Sequence, residues 1–445
     1  MPRRSALAVL LLLLIVATPH TAHGSKGKAS KRRARHAATS TGGTGQSLQA
    51  SLVPAGDLVL SGAQHAELAA ARELIQEDMA GGVQSYTAIA QRALAQGELT
   101  AADSVLVEGL AVIGAAGQEA DFLAGSLLMV QASVHKCNNQ PALALGSFDR
   151  MAELLPTDLA PDPERQEGVR SLFRLDLLRV MLLEGGTMKH RKALQRRHKA
   201  EERSLLRGGP WASLAQLPRD YQAGLRARPW WAVAGEGQLR EPDASRLLEV
   251  LREAREGLVA EHAKLVAGGR MAPERECIHD SSKGEWTQLD FLGGAARRRQ
   301  ALGSTPCERG VAPAGCGAVA AVEAVLREGG WGGRGGSGSI VMRAGYSAVE
   351  PGSWIRPHYG ETNAQLKLHF GVTIPTNASG QPCALLRVGE DAADGWRGWS
   401  EGGLLLFDDS FLHEVNMQGG GGDESGCEGT RVVLQLVVRH PDAAG

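Results

Sequence analysis

Leu406-Phe407-Asp408-Asp409-Ser410-Phe411-Leu412-His413-Glu414-Val415 reads as two short strands joined by a polar turn. The apolar run Leu404 to Phe407 stops at an Asp-Asp-Ser triplet, residues that favour turns because their side chains bond the nearby backbone, and an apolar stretch resumes at His413. Working outward, Ser339 to Met342, Leu366 to Ile374 and Val432 to Arg439 are also strand-length and β-branched, with Gly, Pro, Asn or Asp between them. Short strands spaced by long turns and lacking helices predict a β-sandwich or jelly roll from about Trp331 onward. A glycine-rich loop, Gly332 to Gly338, precedes it.

Upstream the period changes. Between Ala63 and about Arg207 apolar residues recur at three and four, as in Ala69, Leu74, Ile75 and Ala88, Ala90, Leu94, which predicts helices. Two stretches, Gly97 to Asp103 and Ala144 through Phe148 to Leu155-Pro156, resemble second helices of tetratricopeptide hairpins, with an irregular bundle as the alternative. Asp243 to Ala267 reads as one amphipathic helix with Leu247, Leu248, Leu251, Leu258, Leu265 and Val266 on its apolar side and Gly268-Gly269 as its stop. Lys189 to Lys199 is a basic run on a helix, a pattern that usually marks a solvated face. The sequence thus predicts a multidomain α + β chain: a helical, tetratricopeptide-like region over 63–268, a connecting segment over 269–330 and a β domain over 331–445.

With 48 Lys and Arg against 49 Asp and Glu, the charge balance argues against nucleic acid as a partner. The 57 glycines follow no Gly-X-Y period, which excludes a collagen-like chain. At the N-terminus Arg3-Arg4 precedes an apolar run from Ala6 to Ala17, with Ala22-His23-Gly24 as a cleavage site, so 1–24 reads as a signal peptide or signal anchor. The basic cluster from Lys26 to Arg35 resists translocation and keeps an organelle transit peptide as an alternative. Residues 25–62 carry little to bury and read as a disordered linker. Six cysteines, at 137, 277, 307, 316, 383 and 427, suit an oxidising compartment but are too sparse for a disulfide scaffold, and none forms a Cys-x-x-Cys pair. Cys307 and Cys316 bracket a Pro- and Gly-containing loop and are candidates for one bond, two free thiols being the alternative. Asn377-Ala378-Ser379 fits a glycosylation acceptor.

His358, in Trp354-Ile355-Arg356-Pro357-His358-Tyr359-Gly360, and His413 lie far apart in sequence, so two strands of one sandwich could bring them together. Imidazole suits iron, zinc and copper, and two histidines with one carboxylate mark non-haem iron(II) oxygenases. Here the carboxylate position, two after His358, is Gly360. Each histidine alone would be a core or surface residue, Arg431 an ion-pair arginine, Ser347 a turn hydroxyl and Asp408-Asp409 a solvated turn; their joint order carries the functional reading.

At these residues the sequence resembles the aspartyl/asparaginyl β-hydroxylases, a branch of the iron(II)- and 2-oxoglutarate-dependent oxygenases with His-x-Gly in place of His-x-Asp and an Asp-Asp-Ser-Phe-x-His-Glu-Val run at the second histidine. The resemblance covers Ser337 to Pro441 and extends thinly to Arg226-Ala227-Arg228-Pro229-Trp230-Trp231 and Lys283-Gly284-Glu285-Trp286; Cys307 and Cys316 sit where the family's disulfide would. It implies a double-stranded β-helix (jelly roll), metal ligation by His358 and His413, and Arg431 with Ser347 on the distal carboxylate of 2-oxoglutarate. His369 would hold the cofactor's other end, and Lys367 stands where the family carries arginine, a point charge in place of a fork. The implied reaction hydroxylates the β-carbon of Asp or Asn in a protein or peptide, in this family in epidermal-growth-factor-like modules, releasing succinate and carbon dioxide. The implied setting is the secretory pathway, the lumen or membrane of the endoplasmic reticulum. Two rival outcomes follow from Gly360 and Lys367: a halogenating oxygenase, and a peptide-binding protein whose oxygenase domain has lost catalysis.

Overall fold

The computed structural model describes residues 62–443 apart from 116–120, 156–162, 185–186, 209, 212, 233–240, 275–276, 280–283, 294–306, 308, 332–337, 390–395 and 418–426. The signal segment, most of the linker, Lys283 and most of the glycine-rich loop expected at 332–338 lie outside the described residues. Among the described residues no helix is long and apolar enough to cross a membrane.

The helical period is realised as α1 (Gly62–Glu77), α2 (Met79–Gln96), α3 (Leu99–Ala115), α4 (Asp121–Cys137), α5 (Pro141–Leu154), α6 (Pro163–Glu184) and α7 (Met188–Gly208). Successive helices pack through small and aliphatic side chains: Tyr86, Ala90 and Ala93 of α2 share a core with Ala102, Val105 and Leu106 of α3 and Leu127 of α4. Gly97, in the left-handed conformation, closes α2 by donating its N–H to Leu94. The stretch Gly97 to Asp103 is therefore a junction between two helices and not a single second helix. An Arg72 fork on Glu108, which also accepts from the Tyr86 hydroxyl at 2.7 Å, ties α1 and α3 together across the surface of this layer.

Eleven strands follow among the described residues: β1 (Trp230–Ala232), β2 (Ala272–Pro273), β3 (Trp286–Leu292), β4 (Val341–Val349), β5 (Trp354–His358), β6 (Gln365–Thr373), β7 (Ala384–Val388), β8 (Trp396–Gly398), β9 (Leu404–Phe407), β10 (His413–Met417) and β11 (Arg431–Arg439). They form two antiparallel sheets, a seven-stranded one in the order β1-β9-β6-β11-β4-β3-β2 and a four-stranded one in the order β5-β10-β7-β8. Residues of both sheets, among them Val349, Val433 and Phe407 from the large one and Ile355, Leu386 and Val415 from the small one, share one core, so the sheets face each other. The sheet reaches upstream of Trp331 through β1, β2 and β3. The strand expected at Ser339 to Met342 instead runs over Val341–Val349, because Arg343, Gly345 and Ser347 interrupt its apolar pattern while its backbone still pairs with β3 and β11.

The other face of the large sheet is covered by α8 (Glu241–Ala267) and α9 (Pro313–Glu328). Leu247, Leu251, Leu258 and Leu265 of α8 are buried there, whereas Val266, expected on that side, is 53% exposed beside the helix terminus. Arg270 and Gly269 donate to Leu265 and Val266, with Gly269 left-handed, so Gly268-Gly269 does end the helix. The buried Glu261 carboxylate accepts from the first-turn amides of Ala314 and Gly315 at the start of α9 and from the Tyr346 hydroxyl, all within 2.9 Å, and so joins both helices to β4. Three disulfides, Cys137–Cys277, Cys307–Cys316 and Cys383–Cys427, use all six cysteines. The first ties the end of α4 to the approach to β3, beside a 2.6 Å hydrogen bond from Arg356 of β5 to the Asn139 side chain.

Candidate active site

Strand β11 is buried on both faces, which its nearly continuous apolar run Arg431–Arg439 reflects. Val432, Leu434, Leu436 and Val438 face the helices. Alternation therefore turns Arg431, Val433 and Gln435 into the space between the sheets, and by the same rule Ser347 on β4 and Lys367 and His369 on β6 share that inner face. The polar residues that break an otherwise apolar interior are the site.

His358 and His413 enter from the opposing small sheet, on β5 and β10, where they are direct cross-strand partners. Their ring centroids are 4.0 Å apart. Pro357 is tolerated because β5 is an edge strand, where a missing N–H breaks no ladder. Each Nδ1 lies against a backbone carbonyl two residues earlier, Arg356 at 2.7 Å and Phe411 at 2.9 Å. A carbonyl can only accept, so both Nδ1 atoms carry the proton and both Nε2 atoms present a lone pair, the arrangement found in metal-bound histidines. Burial, and after it mutual and Lys367 repulsion, holds the His358 pKa well below its usual range, and burial with Lys367 brings His413 to about 3. Both rings are neutral, as ligation requires.

No group of three His, Cys, Asp or Glu that could hold a metal occurs among the described residues. At position 360, two after His358, a Cβ would come within 2.5 Å of the Asp409 carboxylate, and the Gly360 amide donates to the Asp409 main-chain carbonyl. Asp409 pairs with the Lys367 ammonium at 3.2 Å, while its Oδ1 is buried without a partner. Asp408 and Asp409, read from sequence as a solvated turn, are 0% and 2% exposed. Asp408 accepts from Gln216 and from the Ser410 amide, and burial raises its pKa to about 8.

Arg431 is 1% exposed, with Nε and Nη1 lacking any hydrogen-bond partner. Its guanidinium lies 4.8 Å from the centre of the Trp399 ring, a cation–π contact that offsets part of its desolvation. Burial alone pulls its pKa to about 9. A buried cation with two idle donors is suited to pairing with an anion. His369 stacks 6.0 Å from Trp399, bonds Gln435 through Nε2 at 3.1 Å and leaves Nδ1 without a partner; burial and the neighbouring Arg431 hold its pKa well down. Ser347 is buried and accepts from the Trp286 indole at 3.0 Å. The structure therefore brings His358, His413, Ser347, Lys367, His369 and Arg431 to the interior between the two sheets. It adds Asp409, quoted within the second-histidine motif but read as a solvated turn, Trp286, quoted within a family-like segment but given no role, and Trp399 and Gln216, for which the sequence offered no signal.

Residues 320–441 match the family described as Aspartyl/Asparaginyl beta-hydroxylase. The aspartyl/asparaginyl beta-hydroxylase of Mus musculus is 30% identical over 242 residues, covering 53% of this chain and 26% of the relative. Aspartate beta-hydroxylase domain-containing protein 2 of Xenopus tropicalis is 40% identical over 106 residues, covering 24% of this chain and 25% of the relative. The chain thus spans about a quarter of the length of the curated relatives it matches. A solved Pseudomonas putida prolyl-4-hydroxylase matches over 42% of this chain and 87% of its own at 13% identity, with a TM-score of 0.25. The paired histidines, the His-x-Gly and the buried arginine thus lie in a C-terminal segment that is similar to the aspartyl/asparaginyl beta-hydroxylase family.

Proposed function

We propose that this protein is an iron(II)- and 2-oxoglutarate-dependent dioxygenase that hydroxylates the β-carbon of Asp or Asn residues in a peptide or protein. The observation that carries this reading is the convergence of two neutral imidazoles, each with its Nε2 lone pair free of the proton, and a buried guanidinium with two unpartnered donors within one sandwich interior. His358 and His413 would hold the iron. Arg431, with the Ser347 hydroxyl, fits the distal carboxylate of the oxoacid, and Lys367 and His369 line the same interior for its other end. When bound, iron and the oxoacid supply the oxidising chemistry: the oxoacid and dioxygen become succinate and carbon dioxide, and one oxygen atom enters a C–H bond of the peptide. The protein's own part is orientation and exclusion of water, for which the nearly complete burial of Arg431 and His413 is suited.

In this reading the two opposed antiparallel sheets are a jelly roll and the helices a tetratricopeptide-like wall. Substrates are epidermal-growth-factor-like modules or other polypeptides, and the setting is the secretory pathway, which three disulfides support. The halogenating alternative is disfavoured by Asp409: its carboxylate lies against Gly360, the position a halide would share, and like charges repel there. A catalytically idle domain is disfavoured by Arg431, whose burial, only partly offset by Trp399, is costly with two donors idle unless an anion pairs with it. The test is incubation with iron(II), 2-oxoglutarate, ascorbate and Asp- or Asn-containing peptides, read by mass spectrometry. Gain of one oxygen matched by succinate is expected; a chlorinated peptide, or no turnover of 2-oxoglutarate with any peptide, would overturn the proposal.

A further inference from the structure

Three consecutive residues from the link between α7 and β1, far outside the family-matched segment, hold the loops of both histidines. The Tyr359 hydroxyl, one residue after His358, donates to the Leu214 carbonyl at 2.8 Å. The Leu412 amide, one residue before His413, donates to the Ala215 carbonyl at 2.9 Å. The Gln216 side-chain amide gives its two hydrogens to Asp408 at 3.0 Å and Ser410 at 2.8 Å. Gln216 is 4% exposed and nearly two hundred residues away in sequence from these partners. Its two acceptors belong to the turn that presents the Phe411 carbonyl, and that carbonyl fixes the His413 tautomer. The same link continues along the His358 loop, where the Asp220 main-chain amide donates to the Glu361 carbonyl and Gln222 and Asn363 exchange two hydrogen bonds.

We propose that Leu214-Ala215-Gln216 is a clasp that sets the spacing of the two histidines, with Gln216 as a positioning residue for metal binding. This rests on the reading of His358 and His413 as metal ligands. The physical ground is the cost of the alternative: without Gln216, Asp408 and Ser410 are buried with an acceptor each unmet, and the turn relaxes to find other partners. A relaxed turn shifts Phe411 and with it the imidazole, and a metal site held to a few tenths of an ångström loses affinity. The domain delimited by the family match, 320–441, would then lack part of what builds its own metal site.

The experiment is titration of the full-length apoprotein with cobalt(II), read by its ligand-field absorption, in wild type, Gln216→Leu, His413→Ala and the exchange pair Gln216→Glu with Asp408→Asn. The pair reverses donor and acceptor across the same contact and keeps the test open if Gln216→Leu does not fold. Expected are a wild-type site lost in His413→Ala, at least tenfold weaker cobalt binding with an altered spectrum in Gln216→Leu, and affinity in the pair restored to within about threefold of wild type. Wild-type binding with unchanged affinity and spectrum in Gln216→Leu would overturn the clasp alone. So would a pair that folds but binds as weakly as Gln216→Leu. Absence of wild-type binding, or binding that survives His413→Ala, would overturn the metal-site reading and the clasp with it.

Discussion

Gly360 and Asp409 together explain why a carboxylate ligand cannot simply be put back. A side chain at 360 starts 2.5 Å from the Asp409 carboxylate, so Gly360→Asp places a second acid where one is already buried. Metal affinity should fall in this variant, and cobalt titration showing tighter binding than wild type would refute that account. The histidines make a second prediction. Their folded pKa values are depressed, to about 3 for His413 and well below the usual range for His358 and His369. Below about pH 6.5 the unfolded chain binds protons that the folded chain refuses, so metal-free stability is complete above that pH and is lost as pH falls toward the folded value. Each histidine contributes up to about 1.4 kcal/mol per pH unit in that window. Denaturant titrations of apoprotein from pH 7 to 5 should show the decline, and His413→Gln should flatten it; an unchanged slope would count against buried neutral rings. At this scale His358 and His413 stood out in the sequence because each lies inside a local motif, whereas Arg431 stood out only through the family resemblance. Gln216 and Trp399 did not, because their roles exist only through contacts across the fold.

Among the elements, α8 and α9 fix the outer wall of the large sheet through one carboxylate. Glu261 satisfies two amides of the α9 first turn and the Tyr346 hydroxyl. Glu261→Leu strands those donors, and loss of about 2–4 kcal/mol in denaturant unfolding is expected; Glu261→Gln should lose less because its oxygen still accepts. A loss under about 0.5 kcal/mol in the leucine variant would mean that α9 is held by its apolar face alone. Strand β11 was readable because burial on both faces demands a continuous apolar run. Strands β5 and β7 were not: Trp354–His358 contains a proline and two cationic-type side chains, and five residues of Ala384–Val388 do not separate strand from helix. What makes them strands is pairing with β10, a long-range fact.

Across the whole molecule the helical layer and the β domain are joined beside the strand that carries His358. The Cys137–Cys277 disulfide ties α4 to the approach to β3, and the Arg356–Asn139 hydrogen bond ties the next residues to β5, which carries His358. Replacing Cys137 and Cys277 with serine should cost about 2–5 kcal/mol and open the junction to limited proteolysis; a protease-resistant variant of wild-type stability would show that the clasp and the core suffice. Neither that pairing nor Cys383–Cys427 was predictable, since six cysteines allow fifteen connectivities and only Cys307–Cys316 is local. The order of helices then sheets was legible from the switch in apolar period, but the strands contributed from 230–232 and 286–292 were not. The central claim, two imidazoles and one buried guanidinium serving a metal and an oxoacid, is tested most directly by anaerobic titration of iron(II) into protein with 2-oxoglutarate, followed by visible absorption. The account predicts a charge-transfer band that saturates at one iron per chain and disappears in both His413→Ala and Arg431→Leu. No band in the wild type, or an undiminished band in His413→Ala, would contradict it.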